Sequence, residues 1–265
     1  LEIFISSSLE FSGLAGITPL KTAGQLTGPA DVTGVCRGPL KPKPTLDCLL
    51  QADVHGASFS GPAAANPIRE ITGRIRYDLL AERASIEHLT LQLLEERLTS
   101  HGAIILSEPP RLDLAVTGRL DLRGLHGWIP QTEALQAIEG LASLDLTIQG
   151  PMVSPQLSGR VELLEGRAQL AGIPQPLERL RGTLVLSEGR IELREISMLL
   201  AESPLTLSGT VTEFQTVPRI QAQVRLPDGT LQLSGRWHPD RLVIDAAELA
   251  LRGSRVQLSG DVSRN

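Results

Sequence analysis

Few residues in this chain keep the company that chemistry needs. The five histidines, His55, His88, His101, His126 and His238, are scattered. None has Cys, Asp or Glu beside it at metal-ligand spacing, so they read as surface or loop residues. Ser158, Ser208, Ser234 and Ser259 each precede a glycine. None lies in the Gly-x-Ser-x-Gly context that exposes a hydrolase nucleophile. The carboxylates Glu162, Glu165, Glu188 and Glu192 stand at outward positions of alternating runs and read as solvated. This pattern predicts neither an enzyme nor a cofactor or metal site.

The two cysteines are more informative. Cys36 and Cys48 lie six residues either side of position 42, flanking a proline-rich turn from Gly38 to Pro44. Both share the parity of the apolar positions around them. An antiparallel hairpin would set them nearly opposite each other. An oxidising compartment would then favour a disulfide; otherwise they are two buried thiols.

In the elements that carry these residues, the dominant signal is an apolar residue at every second position. Leu-Ser-Gly ends such a run four times, at 157–159, 207–209, 233–235 and 258–260. That period belongs to a sheet with one apolar and one polar face. The expected apolar positions are Leu112, Leu114 and Val116, then Leu146 and Ile148, then Leu157, Val161 and Leu163. Leu184 and Leu186 follow, with Ile191 and Leu193, then Leu205, Leu207 and Val211. The last are Ile220 and Val224, Leu231 and Leu233, Leu242 and Ile244, Leu249 and Leu251, and Val256 and Leu258. Short intervals between runs require antiparallel hairpins, because a parallel crossover takes about a dozen residues. Ser6-Ser7-Ser8 is expected to end a first strand, residues 55–67 to be loop, and Glu108-Pro109-Pro110 to turn. One helix is expected at 131–141, with Leu135, Ile138 and Leu141 at helical spacing, Thr132 as cap and Trp128 as anchor.

Composition narrows the classes. Aromatics are only 3% of 265 residues, so the apolar face is a carpet of Leu, Val, Ile and Ala. Net charge is −5 with both signs scattered, which argues against nucleic acid. No apolar run is long enough to cross a bilayer as a helix. An outer-membrane barrel would need aromatic girdles that are missing. A closed sandwich core is the plain alternative for the aliphatic face.

Landmarks recur in order. Gly38-Pro39…Pro44-x-Leu46 matches Gly150-Pro151…Pro155-x-Leu157, and Asn66-Pro67…Gly73-Arg74-Ile75 matches Gln175-Pro176…Gly182-Thr183-Leu184. Ordered landmarks at a nearly constant offset indicate duplication. The expected division is residues 1–130 as a first sheet repeat, with 1–19 the least readable, and 131–265 as the helix, a second repeat and the start of a third.

The run Gly-Pro-x-x-x-Pro-x-Leu-x-Gly-x-Val-x-Leu at 150–163, with Leu-x-Gly-x-Leu-x-Leu at 180–186 and the closing Leu-x-Leu-Ser-Gly, resembles the AsmA-like family of the TamB and YhdP type. The resemblance covers roughly residues 20–265. It implies a long, strongly twisted antiparallel sheet curled into an open groove (a β-taco) with a hydrophobic interior. It also implies a periplasmic segment, taken mid-chain from a longer inner-membrane-anchored protein, that passes phospholipid between the inner and outer membranes. Partners at either membrane, including an outer-membrane assembly protein, would act through parts outside this chain. The competing expectation is a scaffold segment that contacts such an assembly factor without conducting lipid.

Overall fold

The computed structural model describes residues 2–11, 25–39, 47–60, 67–123, 135–170, 173–213, 217–238 and 241–263. Among the described residues the fold is all-β: seventeen strands in one antiparallel sheet that is not closed into a barrel. No described residue is in an α-helix. The chain divides into two compact units, Leu1–Ile129 with Asp145–Gln156, and Pro130–Leu144 with Leu157–Asn265.

The first unit contains β1 (Glu2–Glu10), β2 (Gln25–Thr27), β3 (Pro29–Arg37), β4 (Asp47–Ser60), β5 (Ile68–Asp78), β6 (Arg83–Leu93), β7 (Glu96–Ile105) and β8 (Arg111–Asp121). The second half of β9 (Leu135–Pro151) belongs to it as well. From β3 to β8 each strand pairs with the next. β1 pairs with β3, and β2 with the far end of β4. Ser6, Ser7 and Ser8 lie inside β1 and do not break it, because they pair with Thr33, Val32 and Asp31. β4 likewise runs through residues 55–60, which the sequence suggests as loop; residues 61–66 lie outside the described set.

The second unit holds the first part of β9, then β10 (Gln156–Leu170), β11 (Leu177–Ser187), β12 (Arg190–Leu200) and β13 (Ser203–Thr212). β14 (Arg219–Leu226), β15 (Gly229–Trp237), β16 (Arg241–Leu251) and β17 (Ser254–Ser263) complete it. From β10 onward every strand pairs with its successor. Two of its hairpin turns, Ala201-Glu202 and Arg252-Gly253, have positive φ at both central residues. That backbone matches the twist of paired strands.

The expected helix is replaced by strand. Residues 135–141 are the start of β9, while 131–134 and Trp128 lie outside the described residues. Leu135, Ile138 and Leu141 satisfy a helical period, but the stretch contains Gly140, which weakens a helix by about 1 kcal/mol. A helix of this length is also marginal without tertiary support. The strand, by contrast, uses the glycine. Gly140 has φ +122°, and a Cβ there would lie 2.0 Å from the Glu165 carbonyl oxygen. Ala142, two residues on, is completely buried.

Each unit is creased by β-bulges. Register shifts occur in β4–β5, β5–β6 and β6–β7 of the first unit. They recur in β11–β12, β12–β13, β15–β16 and β16–β17 of the second. A bulge bends its strand and increases local twist. Among the described residues, the most buried apolar position of each unit is an alanine, Ala57 in the first and Ala142 in the second.

Candidate functional site

Register decides whether the predicted apolar residues share a face, since directly paired residues in an antiparallel sheet point the same way. In the second unit Val161 pairs with Leu184, and Leu184 with Leu193. Leu186 pairs with Ile191, and Ile191 with Val211. Leu207 pairs with Val224, Val211 with Ile220, and Val224 with Leu231. Leu231 pairs with Leu249, Leu249 with Val256, and Leu251 with Leu231's neighbour Gly229. Leu233 pairs with Ala247, Ala247 with Leu258, and Ile244 with Gly235. Leu205 pairs with Met198, Leu163 with Gly182, and Leu242 holds the register position opposite Trp237. Leu157 joins this face by alternation along β10. The second unit thus carries one aliphatic face from β10 to β17.

In the first unit Leu112, Leu114 and Val116 pair with Ile104, Gly102 and Ser100. Gln149 Nε2 donates to Asp113 Oδ1 at 3.0 Å, which sets Gln149 on the polar side. Leu146 and Ile148 therefore fall on the other face, with Leu112 and Leu114. Cys36 pairs with Cys48 across β3 and β4, and the two are joined by a disulfide with Cα atoms 4.0 Å apart. Of the two alternatives left by the sequence, the structure contains the bridge.

The burial of these residues bears on what the face does. None of the predicted face residues with a described side chain is buried; most are half-buried, and Leu157, Leu251, Val256 and Leu258 are exposed. Among the described residues no large side chain is completely buried. A closed sandwich would cover such leucines with a second layer. Here the aliphatic side chains touch their own neighbours along the face and leave room above them. At one end of the second unit that room deepens to a hollow of about 760 Å3 lined by Leu200, Leu205, Leu226, Leu249, Leu251 and Ile173.

Alternation alone missed several members of this face. Ile196 and Met198 are among the most buried residues of the second unit. The bulge between the Leu193 and Ile196 pairings switches parity, so the inward positions become 196 and 198 instead of 195 and 197. The adjacent charges Arg194-Glu195 are the visible sign of that switch. The same bulges give the Leu-Ser-Gly triplet its meaning. Leu faces inward, and in two of the triplets Ser bonds a backbone group of the strand beside the bulge. Glu195 N–H donates to Ser208 Oγ at 3.3 Å, and Ser234 Oγ donates to the Ala246 carbonyl at 3.4 Å.

The opposite face is polar and laced with ion pairs. Arg74 Nε meets Asp53 Oδ1 at 2.7 Å, and Gln51 Nε2 donates to Asp53 Oδ2 at 3.0 Å. The hydrogen bond from Arg74, followed by that from Gln51, holds the Asp53 carboxyl below its usual range. In β12, Glu192 is lowered by its hydrogen bond from Arg194. Near the end of β8, Asp121 is lowered by its hydrogen bond from Arg123. A shallow hollow of about 650 Å3 also lies on this face of the second unit, over Ser208, Gln221, Gln223, Gln232 and Ser234. Amide, hydroxyl and carboxylate groups, the last from Glu192 and Glu248, are prominent in its lining. Phe4, Val35 and Leu49 form an apolar row on the polar face of the first unit, in register with one another. Phe4 and Leu49 there are 75% and 60% exposed.

Among the described residues no three His, Cys, Asp or Glu side chains come together as a metal site. His55 Nε2 lies 3.2 Å from Asp31 Oδ2, an exposed pair. His88 and His101 lie within β6 and β7, and His126 falls outside the described residues. No helix among the described residues is long and apolar enough to cross a membrane. No known protein family, curated protein or solved structure matches the chain.

Proposed function

We propose that the aliphatic face binds the acyl chains of phospholipid, and that the protein passes lipid along it between the inner and outer membranes of an envelope. The resemblance to the AsmA-like family suggests that setting, in the periplasm. The observation that carries the reading is the half-exposed state of a face this wide and this uniform. Aliphatic side chains hold hydrocarbon by area, at about 0.8 kcal/mol per buried methylene. They impose no hydrogen-bond geometry, so neighbouring positions differ little in energy. A chain bound this way is held firmly in total yet meets no deep local minimum as it slides.

The test is to extract the purified protein and identify co-purifying lipid by mass spectrometry. Phospholipid in near-stoichiometric amount supports the reading. Leu207→Glu with Leu233→Glu places two carboxylates on the face and should reduce bound lipid at least tenfold while circular dichroism still reports strand. Transport undiminished in cells that make this folded variant would sink the proposal and favour the scaffold role.

A further inference from the structure

The hollow at the end of the second unit carries a charged pair at its rim. Its lining of Leu200, Leu205, Leu226, Leu249 and Leu251 is interrupted at the rim by Asp228, in the β14–β15 turn. Arg252, in the β16–β17 turn, donates from Nη2 to Asp228 Oδ2 at 2.7 Å. Its backbone N–H also donates to the Asp228 carbonyl at 3.3 Å. Two neighbouring turns are thereby stapled, and the pair is fixed at the mouth of an apolar hollow. Both side chains remain open to water, Arg252 at 79% and Asp228 at 55%. On the other side of the mouth the chain is held by Gln169, whose Nε2 donates to the Ile173 carbonyl at 2.7 Å. That presents Ile173-Pro174 to the hollow.

We propose that this hollow is a seat for one hydrocarbon chain of a zwitterionic amphiphile, whose phosphate meets Arg252 and whose ammonium meets Asp228. The inference rests on the acyl-binding reading of the aliphatic face and specifies the head group at one point on it. The guanidinium presents paired donors that match phosphate oxygens. As Arg252 turns to the phosphate, Asp228 loses its partner, and an ammonium on the same head group replaces it. A purely anionic head group would leave the carboxylate facing like charge. A zwitterion gives four charges that alternate in sign. The apolar lining takes the chain, and a volume of 760 Å3 falls within the range of small-molecule sites.

The experiment uses the full chain with two short-chain phospholipids below their micellar concentrations. Dihexanoyl phosphatidylcholine supplies the zwitterion and dihexanoyl phosphatidylglycerol the anion, and binding is followed by NMR titration. Each exposed charge pair contributes weakly, so the expected preference for the choline lipid is modest, about fivefold. It should shrink as salt is raised. Asp228→Asn with Arg252→Gln should bring the two affinities within about twofold. The exchanged pair, Asp228→Arg with Arg252→Asp, keeps both charges and should restore the preference. Equal binding of both lipids by the unaltered chain, or a preference that survives neutralisation, overturns the head-group assignment and leaves the acyl-binding reading standing. Failure of the unaltered chain to bind either lipid removes both. Leu249→Asp, with the turn pair intact, should remove the shifts of signals at the hollow and the preference for the choline lipid, while weaker binding along the rest of the face persists; an unchanged preference in this variant overturns the seat.

Discussion

The two units use the same crease and finish it differently. In the first, Gly28 lies against Ala57, where a Cβ would come within 2.6 Å of the Ala57 Cα. In the second, Gly140 lies against Gly166, at 2.7 Å from its Cα. Two residues beyond each of these glycines stands a buried alanine, Ala30 or Ala142. Val54 pairs with Gly73 in one unit, and Leu163 pairs with Gly182 in the other. Left-handed Glu70 and Arg179 occupy matching places beside them. The first unit then packs its crease. Ala30, Val54 and Ala57 form a buried cluster against Phe11, Leu26, Ile71 and Ile75, and the Cys36–Cys48 bridge pins the far ends of β3 and β4. In the second unit the counterpart of Val54 is the half-buried Leu163, and the aliphatic face opens into the hollow beside Leu226. The crease is thus shared by the two units, while the depth to which its apolar neighbours are buried differs with the individual side chains.

This comparison can be broken in steps. The largest effect should come from Gly140→Val. It forces a branched side chain into the Glu165 backbone and should cost about 3 kcal/mol or more. Hydrogen exchange should report the loss in the second unit; protection unchanged across β9 and β10 would mean that the close approach is not essential. Next comes the bridge. Cys36→Ala with Cys48→Ala should cost about 2–3 kcal/mol, since the closed loop is short. The loss of protection should be confined to β3 and β4, and a change that reached β12 to β16 would contradict a local role for the bridge. Smaller again is Val54→Ala, at about 1–2 kcal/mol. Leu163→Ala, at the half-buried counterpart, should cost less, and equal losses in thermal denaturation would erase the contrast between the buried valine and the half-buried leucine.

The smallest effect concerns acid. The folded Asp53 carboxyl titrates below its ordinary value, so its contribution to stability is complete at pH values above the unfolded one. That contribution disappears as pH falls through the lower, folded value. Asp53→Asn should therefore flatten part of the drop in stability between neutral pH and pH 3. An identical acid profile for the variant would show that the Arg74 pair has no such weight.

Much of this was legible in the residues. Alternation placed Leu184, Leu193, Leu207, Val224 and Leu231 on one face because a sheet enforces a period of two. It failed where the backbone breaks that period. Ile196 and Met198 were invisible behind a bulge. Residues 135–141 satisfied a helical spacing that the sheet overrides, because Gly140 is needed beside Glu165. The Gly-x-Ala pairs at 28–30 and 140–142 were the available clue to both creases, and such short, common residues carry little signal alone. The hollow was not legible at all. It depends on how far turns such as Pro227-Asp228 and Arg252-Gly253 stand from Ile173, a tertiary distance with no periodic trace in the chain.

From β3 to β8, and again from β10 to β17, every strand finds its partner immediately downstream. Sheets usually assemble slowly because distant segments must meet before any contact forms. Here the ends to be joined lie close together along the chain, and hairpin formation takes about 1–10 μs. A polypeptide with this wiring need not wait for its last residue: structure can advance from one hairpin to the next while the remainder is still being delivered.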